Sequence, residues 1–496
     1  MGMQNRIALS KSKYCRGIQC PKILWMDTYK PDEAENVLPE AVLATGNQVG
    51  DLARNYFGEY SLVEYSYDKQ AMVEQTKAFM DAGAENIAEA SFIVDGLYCA
   101  VDILHRTVEG WDIVEVKSST HVTDTYVEDM AFQNYVLTEC GIRVTGIFNM
   151  HIDNSYVFHD KLDLQGLFAL VDYTEVCKRK YAAVRANINS IRGFVNTEEE
   201  PVRDIDICCD SPYECVYKKY CWRNIPENSI FSVRGIHSGK KYDYYHQGIV
   251  SYEDIIEAQP AISPKQMKQV ETAVYHSPDK IEKEPIREFL DTLNFPVYHL
   301  DFETFQLAVP KWEGCRPYEQ IPFQYSLHIE QEDGALEHKE FLAKEGTDPR
   351  RALAESLCRD IPMNVCSLAY NMAFERRVIR GLAELYPDLS EHLLNIRENM
   401  HDLMVPFQKQ NYYTEAMEGS YSIKYVLPAL YPNEPSLDYH NLEDIHHGGE
   451  ASEAFANMEF MSQEDIERTR KNLLKYCGLD TFAMVKVLEK LKEVSR

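Results

Sequence analysis

Residues 91–119 read SFIVDGLYCAVDILHRTVEGWDIVEVKSS. Apolar and polar residues alternate along 91–106, and Asp95-Gly96 breaks the alternation with a dipeptide that favours a tight turn between antiparallel strands. The segment predicts a hairpin, and 111–119 predicts the strand that follows it. Asp102 falls at the end of one strand. Glu115 and Lys117 stand two apart on the next, so they point to one face. Glu89 lies in the strand region just before the hairpin. Two carboxylates and a lysine on one face can hold a divalent cation and steady an attacking water or the charge of a transition state. Each piece alone reads equally well as a solvated strand face.

The elements around this stretch give it context. A helix is predicted over CPKILWMDTY (20–29), with Pro21 in its first turn, and others near 41–57 and 68–82. Downstream, TYVEDMAFQNYVLTECG (125–141) predicts a helix closed by Gly141 and carrying Gln133. IRVTGIFNMHI (142–152) predicts a strand, and a long polar helix is expected over about 163–193. In this order the pieces resemble the RecB-like branch of the PD-(D/E)XK nucleases. That family presents a strand Asp, then Glu-x-Lys, then a Gln near the start of a helix, here Asp102, Glu115, Lys117 and Gln133. The resemblance implies a restriction-endonuclease-like domain over 1–222, with Asp102 and Glu115 as metal ligands and Glu89 able to reach a second cation. Leu137 stands where the family often has Tyr, and Gly50 falls where many members have an upstream His.

Thirteen cysteines occur in the chain, and ICCDSPYECVYKKYCW (207–222) holds four of them. The N-terminal MGMQNRIALSKSKYCRG lacks the features of a secretory signal, and Arg6 spoils a myristoylation match at Gly2. The cytoplasm is therefore the expected compartment, where disulfides are rare, and the clustered thiols read as a metal site. Iron–sulfur members of the RecB-like branch carry one Cys before the nuclease core and three after it. By that resemblance Cys20, Cys209, Cys215 and Cys221 would hold a [4Fe–4S] cluster, with zinc as the chemical alternative. Cys15 and Cys208 are left over. Cys99, Cys140, Cys177, Cys315, Cys358, Cys366 and Cys477 read as buried small residues.

Residues 223–290 read as a helical connector, with short helices in HQGIVSYEDIIEA (246–258) and SPKQMKQVETAV (263–274). RGIHSGKK (234–241) reads as a basic turn, because its glycine spacing and the lack of Ser or Thr after the lysine differ from a phosphate loop. Residues 291–496 begin again with strands at 296–304, 322–331 and 336–343. A helix at 349–360, a strand at 365–371, a helix from Phe374 and a long helix over 463–493 follow, which suits an α/β domain.

This second half holds its own acids. YHLDFETF (298–305) puts Asp301 and Glu303 on one strand face, where buried carboxylates are costly unless a cation pairs with them. AYNMAFERR (369–377) follows a strand and supplies Asn371, Phe374 and Glu375. YCGLDTFAM (476–484) puts Tyr476 one helical turn before Asp480. Together these resemble the DEDD, or DnaQ-like, 3′–5′ exonucleases of ribonuclease H-like fold, with Glu375 where that family has Asp. The resemblance implies two-metal phosphodiester hydrolysis, with Asp301, Glu303, Glu375 and Asp480 holding Mg2+ or Mn2+ and Tyr476 orienting the attacking water. The pairing with a cysteine-bearing first half is similar to a bacterial family of uncharacterised nucleases. Asp402 reads as a helix N-cap in preference to an acid behind the metal ligands, His440, His446 and His447 as a polar loop in preference to a zinc site, and Lys424 as a phosphate contact or a snorkelling side chain.

The chain has 496 residues and a formal net charge of −28, so two or more domains are expected, and the charge argues against a protein that coats nucleic acid non-specifically. No apolar run is long enough to span a bilayer. The expected function is a cytoplasmic metal-dependent nuclease working from ends, on DNA in preference to RNA, in repair or defence against foreign DNA. The alternative is a nucleic-acid-binding or assembly subunit with one or both sites idle.

Overall fold

A computed structural model describes residues 7–35 and 40–496; the Gly2 and Arg6 positions lie outside them. The chain divides into two units. One holds residues 1–225 and 307–318, the other 226–306 and 319–496.

In the first unit, seven strands form one sheet among the described residues: β1 (Leu9–Ser10), β2 (Ser61–Leu62), β3 (Asn86–Val94), β4 (Leu97–Arg106), β5 (Trp111–Lys117), β6 (Val144–Ile152) and β7 (Phe168–Asp172). Strands β2 to β7 run across the sheet in chain order, and β1 lies against β4. The expected hairpin is β3–β4, closed at Val94↔Leu97 by Asp95 (φ 47°) and Gly96 (φ 72°), the left-handed pair such a turn requires. The edge of β4 is shared. Leu97 and Tyr98 pair with β1, while Ile103 to Arg106 pair with β5, and Asp102 sits between the two ladders.

The helices of this unit are α1 (Lys11–Gln19), α2 (Pro21–Tyr29), α3 (Glu40–Ala53), α4 (Lys69–Asp81), α5 (Asp124–Glu139), α6 (Leu164–Leu167), α7 (Thr174–Arg179), α8 (Tyr181–Val195) and α9 (Lys218–Cys221). Helix α5 joins β5 to its parallel neighbour β6 and is buried on most faces, because the sheet covers one side and α1, α7 and α8 the other. Tyr14 of α1 stacks on Phe132 of α5 at 4.6 Å. The long helix expected over 163–193 is instead α6, β7, α7 and α8. Phe168 to Asp172 pair with β6 as an antiparallel edge strand and bury Phe168, so sheet pairing overrides the local helical pattern.

The second unit begins with α10 (Ser238–His246), α11 (Tyr252–Ala258) and α12 (Pro264–Tyr275). Capping boxes at Ser251–Asp254 and Ser263–Gln266 start α11 and α12. These helices share a core of Ile230, Val233, Tyr252, Ile255 and Val270. The stretch 223–290 is thus not a free-standing connector but, from 226 onward, part of this unit. Only 234–237 of the expected basic turn lies outside a helix. His237 caps α10 through the Gly239 N–H, which draws Lys240 and Lys241 into the helix.

After β8 (Lys280–Ile281) and α13 (Lys283–Leu290) comes a five-stranded sheet: β9 (Val297–Phe305), β10 (Ile321–Glu330), β11 (Leu336–Leu342), β12 (Cys366–Ala369) and β13 (Met400–Asp402). Its order is β11-β10-β9-β12-β13, antiparallel among the first three and parallel from β9 onward. The remaining elements are α14 (Arg350–Asp360), α15 (Ala373–Leu385), α16 (Ser390–Glu398), α17 (Val405–Gln408), β14 (Tyr412–Tyr413), α18 (Ile423–Leu430), α19 (Gly448–Asn457) and α20 (Gln463–Ser495). Helices α14 and α20 pack on β10, and every residue of that strand is buried. The boundary expected at 291 is also redrawn by 307–318, where Ala308 and Tyr318 join Val49 and Phe168 in a core of the first unit. No described helix is long and apolar enough to cross a membrane.

Candidate metal and thiol sites

The first constellation forms where β4 and β5 part. Beyond Ile103↔Val114 the backbones no longer pair, and the Val116 N–H instead donates to Asp102 Oδ2 at 2.7 Å. Glu89 faces Asp102 between the rungs Ala88↔Ile103 and Ala90↔Val101, with φ 58°, a conformation that non-glycine residues rarely hold. A cavity of about 490 Å³ opens there, lined by Gly50, Arg54, Glu89, Asp102 and Lys117 among others. Gly50 thus reaches the position expected of an upstream ligand, but Arg54 supplies the nearby polar group, pairing with Glu89 Oε1 at 3.0 Å.

Glu115 is 0% exposed and fully engaged. Lys11 Nζ donates to its two oxygens at 2.9 and 3.0 Å, Lys117 Nζ donates to Oε1, and Gln133 Nε2 donates to Oε2 at 2.6 Å. Asp129, one turn before Gln133 on α5, accepts from Lys117 and Gln133, each at 3.2 Å. Burial opposes charge on Glu115, but Lys11 and Lys117 outweigh it and hold the carboxyl well below its ordinary range. Asp102 goes the other way, pushed up to about 7 by burial and then by the Glu115 charge, with both lysines opposing. Sequence reasoning missed Lys11 and Asp129. Asp129 was findable, because it lies at the i−4 spacing from Gln133 that places two side chains on one helical face. Two ammonium groups and an amide take up the Glu115 oxygens, and the cavity walls carry Glu89, Asp102 and Lys117.

Five thiols line one small cavity of the first unit. Cys20, between α1 and α2, lines a small cavity with Cys208, Cys209, Cys215 and Cys221. None of the described cysteines is in a disulfide. Cys208, set aside on sequence grounds, is therefore part of the group, while Cys15 packs against the main core of the unit. Gln19 Nε2 donates to the carbonyls of Cys208 (2.8 Å) and Tyr213 (2.7 Å), and Tyr217 donates to Asp27 at 2.8 Å, so α1 and α2 are tied to the 208–221 segment. Hydrogen bonding from Cys208 brings the Cys20 thiol down to about 7 against the effect of burial. Burial pushes Cys215 up to about 11. Five sulfur donors thus line this one cavity, and of the five Cys20 is the thiol whose titration is lowered.

The second constellation converges more tightly. Asp301 and Glu303 project from one face of β9, and Asp480 comes from α20, which packs on that strand. One carboxylate oxygen from each lies within 4.8 Å of the others. Gln324, opposite Glu303 on β10, donates to the Leu473 carbonyl at 2.9 Å and pins α20 to the sheet. Glu375, in the first turn of α15, is buried, and its Oε2 has no hydrogen-bond partner. Burial, then Asp480, Glu303 and Glu375, push Asp301 well above its ordinary range; Glu303 is raised for the same reasons. Burial pushes Glu375 up to about 8, and lifts Asp480 to about 6 against hydrogen bonds from Tyr439 and Tyr476. Lys424 opposes the rise at both Glu303 and Asp480, so its charge acts on the acids. The converging carboxylates of Asp301, Glu303 and Asp480 fit a divalent cation; Glu375 falls outside that 4.8 Å group, although its charge acts on Asp301 and Glu303.

Three details differ from the sequence reading. Asp402 caps no helix: its Oδ1 accepts from the Asn371 and Met404 N–H groups, both at 3.0 Å, closing the loops after β12 and β13, and its charge adds to the rise at Glu375. Tyr439, which drew no attention, donates to Asp480 Oδ1 at 2.7 Å. Gly448 opens α19 against the acids, where a Cβ would stand 3.3 Å from Glu303 Oε2. The histidine loop therefore walls the site while its histidines serve local structure. His447 caps α19, and His446 and His447 face Glu450 at 3.2 and 3.3 Å. The Gly-Gly after His447 is the signal that a close approach was required.

Residues 298–422 match the family described as Domain of unknown function (DUF2779), a span that includes Asp301, Glu303 and Glu375 and stops short of Tyr476 and Asp480. No curated protein matches the chain.

Proposed function

We propose that the protein is a metal-dependent nuclease that hydrolyses phosphodiester bonds from strand ends, on DNA in preference to RNA, with its principal site at Asp301, Glu303, Glu375 and Asp480. The observation that carries this reading is the convergence of Asp301, Glu303 and Asp480 within 4.8 Å across some 180 residues of chain. Bound divalent cations would polarise the phosphate and activate water there. The chain's own residues supply position. Gln324 fixes α20 on the sheet, Tyr439 and Tyr476 hold Asp480, and Lys424 offsets part of the carboxylate charge. The order of strands and helices from β9 to α15 supports a ribonuclease H-like domain.

The cavity of Glu89, Asp102 and Lys117 supports a second, RecB-like nuclease site, in which Lys117 would face the scissile phosphate. For the five-thiol cavity we propose an iron–sulfur cluster that ties α1 and α2 to the end of the unit. A role in DNA repair or in defence against foreign DNA follows from end-directed hydrolysis.

The test is hydrolysis of end-labelled single-stranded DNA and RNA with Mn2+ or Mg2+, comparing wild type with Asp301→Asn, Lys117→Ala and the double variant. The expected result is a loss of at least about 100-fold in Asp301→Asn. No hydrolysis by wild type on any substrate overturns the reading and favours a binding subunit.

A further inference from the structure

A cavity of about 730 Å³ lies within the second unit, with lining residues close in sequence to the acid cluster. Its walls include Asn371, four residues before Glu375, and Ser422 and Ile423, immediately before Lys424. The opposite wall comes from the stretch that reads in sequence as a connector, through Arg234 and Lys265. Eighteen described residues line it, two of them cationic and none acidic. In a chain with 79 Asp and Glu against 51 Lys and Arg, composition alone would place several carboxylates on a wall that long.

The lining is also aromatic and rich in amides. Phe407 and Tyr413 are buried in the floor, and Tyr421 is 44% exposed. The Tyr370 hydroxyl donates to the Tyr421 carbonyl at 2.7 Å and fixes that residue's backbone. Arg234 rests on the Tyr425 ring at 4.6 Å, with Nη2 2.5 Å from the Tyr425 hydroxyl, so its charge is held in place. Lys265 is anchored by one bond, to the Gln408 carbonyl at 2.7 Å, and keeps its other donors. A cavity of this size suits one or two nucleotides. Cations for phosphate, an exposed ring for a base and side-chain amides for base edges are what a single strand needs. An acidic peptide would use the cations and leave the ring and amides idle.

We propose that this cavity is a nucleotide subsite that grips the substrate strand away from the cleaved bond, with phosphates on Arg234 and Lys265 and a base against Tyr421. The proposal rests on the nuclease reading of the neighbouring acids and adds the substrate class, single-stranded nucleic acid. It also gives residues 234–265 a task in substrate binding.

The experiment measures binding without chemistry. Fluorescence anisotropy of a labelled single-stranded DNA 12-mer in EDTA is recorded for the full-length wild type, Arg234→Ala/Lys265→Ala and Tyr421→Ala, over a salt series. Far-UV circular dichroism melts check that each variant is folded. The expected result is a Kd about tenfold higher in the double variant, with the salt slope smaller by between one and two, and a Kd at least about fivefold higher in Tyr421→Ala. Wild-type binding that is absent, or that both variants leave within twofold with the same salt slope, overturns the proposal. Metal-dependent hydrolysis of a nitrophenyl ester of thymidine 5′-monophosphate by wild type is run in parallel. Its absence would count against the acid site and leave the Kd comparison standing.

Discussion

Lys11 and Glu115, 104 residues apart, meet with the ammonium 2.9 and 3.0 Å from the two carboxylate oxygens. The lysine opens the helix whose far end is followed by Cys20, so one nine-residue helix links the thiol cavity to the Glu115 constellation. Replacing Lys11 by Met leaves Glu115 with Lys117 as its remaining cation. The expected cost is about 2 kcal/mol, and Lys11→Met/Glu115→Gln should be less destabilised than the sum of its single variants by about 1 kcal/mol or more. All four tryptophans lie in the first unit, so their fluorescence follows its unfolding selectively. Additive effects would mean that the pair is not coupled.

Glu375 tests the one departure from the expected acid set. Its buried, unpartnered oxygen calls for a cation, and Asp should reach it with a shorter arm. Glu375→Asp is expected to keep hydrolysis within about tenfold of wild type, and Glu375→Gln to lose about 100-fold or more. A loss in Glu375→Asp as large as that in Glu375→Gln would show that the position needs the longer arm as well as the charge.

The thiol cavity predicts a coloured protein. Anaerobic preparation should give a brown product with iron and sulfide, and Cys20→Ser and Cys215→Ser should each bleach it. Cys208→Ser and Cys209→Ser compared side by side identify the ligand at the doubled position. A colourless wild type with stoichiometric zinc would replace the cluster by a zinc site.

His328 gives the second unit a pH dependence. The ring is buried against His338 at 4.3 Å and bonds Thr481 at 2.8 Å, and burial followed by the neighbouring histidines lowers it to about 4. The unfolded chain, with an ordinary histidine near 6.5, binds the proton more readily. Stability tied to this group is therefore complete above about pH 6.5 and is lost as pH falls toward 4. Between pH 7 and 5 the loss is about 1–2 kcal/mol, and His328→Phe should remove it in urea melts followed by circular dichroism. A variant with the wild-type pH slope would place the acid sensitivity elsewhere.

Much of this architecture was legible because its signals are local. Asp95-Gly96 marked the hairpin, the two-residue spacing put Asp301 and Glu303 on one face, and the four-residue spacing joined Tyr476 to Asp480. What escaped depends on long-range packing. Lys11 looks like any lysine at the start of a helix until α1 meets α5. Phe168 to Asp172 look helical until β6 offers an edge. Tyr439 lies in a polar loop that nothing nearby connects to α20. Glu115 was legible as important but not as a carboxylate already neutralised by two lysines, because its second lysine comes from the other end of the domain.

The short excursion at 307–318 bears on any attempt to dissect the protein. Tyr318 donates its hydroxyl to the carbonyl of Ser118, the neighbour of Lys117, and Ala308 fills the core beside Val49. A fragment cut after residue 225 would keep Glu89, Asp102, Glu115 and every clustered thiol, yet lose this buttress. Silence from such a fragment would report a missing wall, and a permuted gene that carries 307–318 along is the fairer way to ask what the first unit does alone.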